Sequence, residues 1–336
     1  MKKLTIVFAV LDVIIAICFF VAYSPLFENF QNTIISTALI TKTHGYIAYT
    51  FYSEDHINKV VAMNSFEPIN ESLNLDDIKI DTAPRESYDN PYDEAILTRD
   101  EGNEDYKYLK ISVGGYDAHL VAIYDPSKVH ILTCKYFNSR DGSGKESVLK
   151  MAARLGATVG INGGGFVDYG YGSDIPIGYV IKDGEVVWSP TSEKGDLIGF
   201  TKDNKLLLVN ATGEEAVAMG MRDGMQFGPF LLINGVRPNF GDSAGGFARA
   251  ARVTIAQRKD GIVLFLVTEG THARGPNLKE LIDTLEQYGA YNAANLDGGT
   301  STQLVIGGNL INNPKNISGK PVYGGRSVVT GWGLIP

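Results

Sequence analysis

Four different patterns of apolar and polar positions succeed one another along the chain. Leu4 to Tyr23 is a 20-residue apolar stretch carrying one charge, Asp12. At about 1.5 Å per residue, a helix of that length crosses the roughly 30 Å hydrocarbon layer of a bilayer. Phe27 to Tyr52 is apolar, aromatic and Thr-rich, and Phe27, Phe30, Ile34, Ala38 and Thr41 recur near helical spacing. This predicts a stalk helix or one lying on the membrane surface. From Glu67 to Asp105 no period is sustained, large apolar residues are few, and Pro68, Pro84 and Pro91 interrupt the chain. That stretch reads as a solvated linker. Beyond it, short apolar runs alternate with turns, and strands are expected at His119–Tyr124, Val129–Cys134, Thr158–Ile161, Tyr179–Ile181, Leu206–Val209, Phe230–Ile233, Val253–Ala256 and Ile262–Val267.

Two helices interrupt this series. One is expected after Ser143, whose spacing to Glu146 fits a capping box, with Val148, Met151, Ala152 and Leu155 on one face and a stop at Gly156. The other starts at Asn277 with Glu280 three residues on, carries Leu278, Leu281, Ile282 and Leu285, and stops at Gly289. The predicted class is α+β: a Gly-rich mixed β-sheet domain with a few packed helices, preceded by a transmembrane helix. The expected division is 1–26 as a signal anchor, 27–105 as juxtamembrane helix and acidic linker, and 106–336 as the domain that carries the chemistry.

Charge sharpens the division. The net charge is −8 over 336 residues, yet Glu67 to Asp105 alone holds thirteen acids against three bases, so the rest is slightly positive. Of 38 glycines, only Gly45 and Gly102 precede residue 106. A near-neutral domain without a basic run offers no footprint for a phosphate backbone, so nucleic acid is not an expected partner. Lys2 and Lys3 precede the apolar run, and basic flanks stay cytoplasmic. With no small-x-small cleavage site after it, residues 4–23 are expected to anchor a single-pass protein with its N-terminus cytoplasmic and its C-terminal domain extracytoplasmic. Asp12 costs about 2.5–3.5 kcal/mol at the middle of such a helix. It marks either contact with a partner membrane helix or a protonated side chain tolerated in a single anchor. Cys18 lies in the apolar run and Cys134 in an expected strand, which argues against a disulfide and for a buried thiol.

Each of the two helices leads into the same short phrase: Gly-Ala, a strand, then Asn162-Gly163-Gly164 in one case and Asp297-Gly298-Gly299 in the other. A polar side chain at a strand end, followed by glycines that let a ligand approach main-chain amides, points to a site when it occurs as a matched pair. The sequence has no GxxxxGK[ST], HExxH or EF-hand loop. Gly241-Asp-Ser-Ala-Gly245 matches G-x-S-x-G but lacks the strand–turn–helix context of a nucleophile elbow, so it reads as a loop. None of the five histidines sits in a ligand pattern; His119 reads as a strand residue and His272 lies in a polar segment. The sequence requires no cofactor and leaves metal dependence open, a divalent cation at Asp297 being compatible with it.

Gly160-Ile-Asn-Gly-Gly-Gly-Phe166, Phe227-Gly-Pro-Phe230 followed by Ile233-Asn-Gly235, and Asn295-Leu-Asp-Gly-Gly-Thr-Ser-Thr302 together resemble the phosphodiester glycosidase family, over roughly Ala118 to Pro336. The anchored front part resembles a bacterial, exopolysaccharide-related subgroup. The resemblance implies hydrolysis of a sugar-1-phosphodiester. It places Asp297 and Asn162 at the family's Asp-Gly-Gly and Asn-Gly-Gly positions, and Arg252 at an Arg that opens a strand, here Arg252-Val-Thr-Ile-Ala256. The family's Asp-Gly-Arg appears as Glu269-Gly270-Thr271, which keeps the acid and loses the Arg.

Glycoside cleavage commonly takes two carboxyl groups, and Asp297 and Glu269 are the expected catalytic pair. Arg252, with Arg249 in reserve, would hold phosphate oxygens. Asn162, the amides of Gly163, Gly164, Gly298 and Gly299, and the Thr300 and Ser301 hydroxyls would complete the binding rim. Each has a plainer alternative: Asp297 as a turn cap, Glu269 as a surface acid, Arg252 as a structural ion pair with Asp297. Asp168 and Asp174 read as solvated, and Trp188 and Tyr171 as core or rim aromatics. The expected protein is a membrane-anchored extracytoplasmic hydrolase acting on cell-surface glycopolymer. The other class, favoured by Thr271, is a non-catalytic glycan-binding or polysaccharide-assembly module on the same fold.

Overall fold

The computed structural model describes residues 2–40, 45–65, 67–81, 83–139, 143–167, 174–240 and 249–336. They fall into two compact units, one N-terminal up to residue 65 and one comprising 67–239 and 249–336. Thr41, Asp168, Tyr171 and the Gly241–Gly245 loop lie outside the described residues.

In the N-terminal unit, helix Lys2–Tyr23 is about 33 Å long by its rise per residue. From Ile6 to Phe20 its side chains are exposed, and it is long and apolar enough to cross a membrane or to serve as a signal sequence. Phe27 to Tyr52, expected as a stalk or surface helix, contains helices Glu28–Ile40 and Gly45–Phe51, and a further helix, Glu54–Asn64, follows it. Ser53 caps the last of them by accepting from His56 N, and Glu54 and Asp55 sit where the helix dipole favours acids. The buried stripe is Gln31, Ile35 and Ala38, which packs with Ala48, Ile57 and Val60. Ile34 is one position off that stripe, and Phe30 points outward.

The second unit is α+β and is built on three antiparallel sheets. The six-stranded sheet runs in the order Tyr106–Val113, Tyr116–Ile123, Val263–Thr268, Val253–Arg258, Ala290–Leu296, Phe230–Leu232. A second sheet orders Asn309–Leu310, Leu304–Ile306, Val159–Asn162, Thr330–Leu334, Val129–Thr133, and a third orders Glu185–Trp188, Val180–Lys182, Met221–Gln226, Gly195–Thr201, Leu206–Ala211. Alternate residues of all three meet in one core that includes Val121, Ile161, Ile198, Phe265, Leu296 and Trp332. At about 25 cal/mol per Å² of apolar area removed from water, this shared interior is the main favourable term in folding. Helix Leu278–Gln287 begins with the expected capping box between Asn277 and Glu280. Helix Val148–Leu155 ends at Gly156 in the left-handed conformation, as its sequence indicates, but starts at Ser147. Glu146 is no capping residue; it pairs with Arg154 and bridges Val328.

The acidic stretch is not a solvated linker. Ile78, Ile96 and Leu97 are buried, and Lys79 and Asp81 donate main-chain bonds to Lys259 and Asp260. Buried Arg258 accounts for much of its fixation, donating to Asp93 Oδ1 at 2.8 Å, Tyr288 O at 2.7 Å and Asp260 Oδ2 at 3.0 Å. The family-like domain therefore carries this segment as part of its packed unit. Cys134 is buried, its thiol pushed up to about 12 mainly by burial.

Candidate active site

The site is assembled where three strands of the six-stranded sheet end together. Val253 pairs with both Leu296 and Val267, so one further step of register sets Arg252 opposite Asp297 on one side and Thr268 on the other. Arg252 and Thr268 are tied directly: Thr268 N donates to Arg252 O, and Arg252 N to Thr268 Oγ1, both at 2.9 Å. Residues directly opposite in an antiparallel pair share a face, so Arg252 and Asp297 project together. Burial lowers the Arg252 guanidinium to about 10, and the Asp297 charge opposes that shift. At neutral pH Arg252 is still a cation.

The two Gly phrases are braced against each other behind this pair. Asn162 is 1% exposed; its Nδ2 donates to Asp297 O at 2.6 Å and its Oδ1 accepts from Gln303 N at 2.9 Å. Asp297 N in turn donates to Gly163 O. Asn162, expected to touch substrate, thus positions Asp297 from beneath. The expected amide rim is also largely committed within the protein: Gly163 N and Gly164 N donate to Thr330 O and Oγ1, and Gly299 N donates to Ala251 O. Gly298 and Thr300 are half-buried on the same turn, which also carries the buried Ser301. Gly299 adopts φ +58°, and a Cβ there would stand 3.1 Å from His272 Nδ1. Glycine at 299 lets His272 close over the turn.

His272 and Arg326 are the functional candidates that the sequence did not reveal. Burial, followed by the charges of Arg252 and Arg326, lowers the His272 pKa below its ordinary value, so the imidazole is neutral at pH 7. Arg326 lies 3.4 Å from Ser301 Oγ and over the Phe166 ring at 4.8 Å, with Lys145 on the same ring at 5.4 Å. Phe166 closes the Asn-Gly-Gly-Gly-Phe phrase, so cations gather around the mouth of the two motifs. One signal was available: Arg326 follows Gly324-Gly325, the same glycine pairing that marked Asn162 and Asp297.

Glu269 takes a different place. It follows Thr268 and, by register, falls opposite Ala251 on the alternate face. Its Oε1 contacts His119 Nε2 at 3.3 Å and accepts from Asn313 N at 2.9 Å, while His119 Nδ1 meets Tyr108 OH at 2.9 Å. The two carboxylates expected as a pair thus face different partners, Asp297 facing Arg252, and Glu269 facing His119 and Asn313. Arg249 is likewise engaged elsewhere, in a two-pronged bond to Glu280 at 2.9 and 3.0 Å that holds the start of helix Leu278–Gln287. Thr271 closes a turn with Arg274 through its main chain, and Arg274 is exposed. Asp174, read as solvated, is fully buried and accepts from Ser139 N and Gly144 N. Trp188 is a rim aromatic, donating to Pro176 O and set edge-on to Phe137. Among the described residues, no three His, Cys, Asp or Glu side chains converge as a metal site.

Residues 155–335, more than half of the chain, match the phosphodiester glycosidase family and include Asn162, Arg252, His272, Asp297 and Arg326. The chain is 27% identical over 200 residues to the SPbeta prophage-derived uncharacterized protein YomE of Bacillus subtilis (strain 168), a match that covers 56% of this chain and 30% of that protein. The chain thus spans less than a third of that relative's length. Among solved structures it is similar to the zebrafish N-acetylglucosamine-1-phosphodiester α-N-acetylglucosaminidase catalytic domain auto-inhibited by its pro-peptide, with TM-score 0.56, 22% identity, and coverage of 69% of this chain and 82% of that one. A hypothetical protein from Synechocystis matches at TM-score 0.45 and 16% identity, over 68% of this chain and 61% of that one. By the extent of the family match, the chain belongs to the phosphodiester glycosidase family.

Proposed function

We propose that this chain is a membrane-anchored extracytoplasmic hydrolase that cleaves sugar-1-phosphodiester linkages in cell-surface polysaccharide or glycopolymer. The observation that carries the reading is the placement of Asp297 opposite Arg252, with His272 and Arg326 beside them. A phosphodiester needs cations at its phosphate and a negative group near the anomeric carbon, and this cluster holds both.

In this reading Arg326 and Arg252 hold the phosphate oxygens. The C1–O bond breaks with its electron pair leaving on the phosphate, a weakly basic leaving group that needs little proton assistance. Asp297 stabilises or captures the developing oxocarbenium ion, and neutral His272 takes the proton from the water that completes hydrolysis. The second catalytic group is therefore His272 rather than Glu269. Apolar helix Lys2–Tyr23 supports the anchor, with Lys2 and Lys3 on the cytoplasmic side.

The test is hydrolysis of a panel of sugar-1-phosphodiesters by the full chain in detergent. Turnover should vanish in Asp297→Asn with the fold intact by circular dichroism, and an inactive wild type across the panel overturns the reading. Mature protein found in the medium and beginning near residue 24 would overturn the anchor. One observation favours a non-catalytic glycan-binding or assembly module: the family's Arg is Thr271 here, in a turn held by main-chain bonds. Glycan binding without turnover would select that reading.

A further inference from the structure

A separate pocket of about 270 Å³ opens between Gly165, at the end of the Asn162 glycine loop, and the segment Gln226-Phe227-Gly228, lined also by Ile177, Gly178 and Asp196. We propose that it is the subsite for the sugar ring of the substrate, with Asp196 and Gln226 reading its hydroxyl or amide groups and Phe227 packing on its apolar face. This rests on the sugar-phosphodiester reading above.

The walls have the chemistry of a carbohydrate site. A Cβ at Gly165 would stand 3.2 Å from both Ile177 Cδ1 and Phe227 Cε2, so the glycine keeps open a slot between two apolar side chains. Across it, Asp196 uses Oδ1 to accept from Asn210 Nδ2 at 2.8 Å, while its Oδ2 faces the Gly228 side of the pocket. The Gln226 amide lies between Gly178 and Gly195, both too close to it to carry a side chain. Its Oε1 accepts from Tyr179 N at 3.2 Å, which fixes the amide plane and gives Nε2 the donor role. An aromatic wall with a few oriented polar groups is what a small polar ligand with one apolar face requires. The volume falls just below the roughly 300–1,000 Å³ of pockets for drug-sized ligands, so it suits one sugar ring and not an oligosaccharide.

The same loops that form the pocket also hold Asp297. Gly165 is two residues beyond Gly163, whose carbonyl accepts from Asp297 N. On the other wall, Gly228 O accepts from Asn295 Nδ2 at 3.1 Å and Pro229 O from Asn295 N at 3.0 Å, and Asn295 is two residues before Asp297. The loops that would hold a ring in the pocket are thus the ones that hold Asp297, and in this proposal its 1-phosphate points toward Asp297, Arg252, His272 and Arg326.

The experiment is saturation-transfer NMR on the full chain in detergent with methyl α-glycosides of neutral hexoses and of N-acetylhexosamines, run beside the diester turnover assay. At least one glycoside should bind. Asp196→Asn should weaken it by about tenfold or more, as expected for loss of a charged acceptor. Gly165→Val should abolish binding. If Gly165→Val fails to fold by circular dichroism, Asp196→Asn decides. The subsite is overturned if no glycoside binds, or if binding survives Asp196→Asn together with the folded Gly165→Val. Binding without turnover would retain the subsite and reject the hydrolase; turnover with glycoside binding indifferent to residues 165 and 196 would do the reverse.

Discussion

The Asn162 side chain spans two main-chain groups of a distant phrase, donating to Asp297 O at 2.6 Å and accepting from Gln303 N at 2.9 Å. The two Gly motifs, 135 residues apart, thereby act as one support for the Asp297 carboxylate. Asn162→Ala strands a buried carbonyl and a buried N–H, at about 1–3 kcal/mol for each. Denaturant unfolding should register that loss. Asn162→Asp, which keeps the acceptor and loses the donor, should lower kcat more than it raises KM. An unchanged kcat in a folded Asn162→Asp variant would show that Asp297 needs no such support.

Arg326 lies over Phe166 and beside Ser301, close enough for its charge to act on His272. Its planar fork matches two phosphate oxygens, which a lysine cannot copy. Arg326→Ala should raise KM for a sugar phosphodiester by about tenfold or more. Arg326→Lys should recover little of it, and binding of an uncharged methyl glycoside should not change. Equal weakening of charged and uncharged ligands would place Arg326 outside phosphate recognition.

Burial, Arg252 and Arg326 together lower the His272 pKa, and the sign of the pH effect follows. Between the lowered folded value and the ordinary value near 6.5, the unfolded chain binds a proton that the folded chain does not. Stability therefore falls as pH drops through that interval and levels off below it. The neutral imidazole persists through the ordinary His range, so kcat/KM should hold down to more acidic pH than an unperturbed His would allow. His272→Gln should slow turnover and remove this acid limb. An acid limb that survives in His272→Gln belongs to another group.

The strands of the central core were legible because they are short, largely apolar runs set off by turns and buried along their whole length: Val253–Ala256 and Ile262–Val267 lie almost wholly within strands observed at those positions. Helix Leu278–Gln287 was legible at both ends because Asn277, Glu280 and Gly289 act on their own helix. The acidic stretch was misread because its anchors are sparse and their partners remote. Asp93 is matched by Arg258, 165 residues on, and single apolar residues such as Ile78 and Ile96 carry no period. Arg249 failed for the same reason, since its partner Glu280 is 31 positions away. His272 and Arg326 come together from segments remote in sequence; His272 leaves no local pattern, and Arg326 leaves only the Gly324-Gly325 pair before it.

Glu269 and Asp297 make the sharpest contrast, because the chemistry of glycosides invites pairing them while the sheet separates them. Burial alone would raise the Glu269 pKa, but the His119 hydrogen bond, the Asn313 N–H, and the charges of His119 and Lys315 hold it below its usual value. A carboxylate with a lowered folded pKa adds stability above its unfolded pKa, and that contribution is lost as pH falls through the folded value. Glu269→Gln should therefore lower the unfolding temperature at neutral pH, by an amount that shrinks in acid. His119→Gln should cost a similar amount, and the double variant less than the two together, because both remove one contact. Turnover at saturating diester should stay within about tenfold of wild type in Glu269→Gln, while Asp297→Asn loses it. If folded Glu269→Gln is as inactive as Asp297→Asn, the two carboxylates work on the same bond, and the His119 contact is a resting position that Glu269 leaves when substrate arrives.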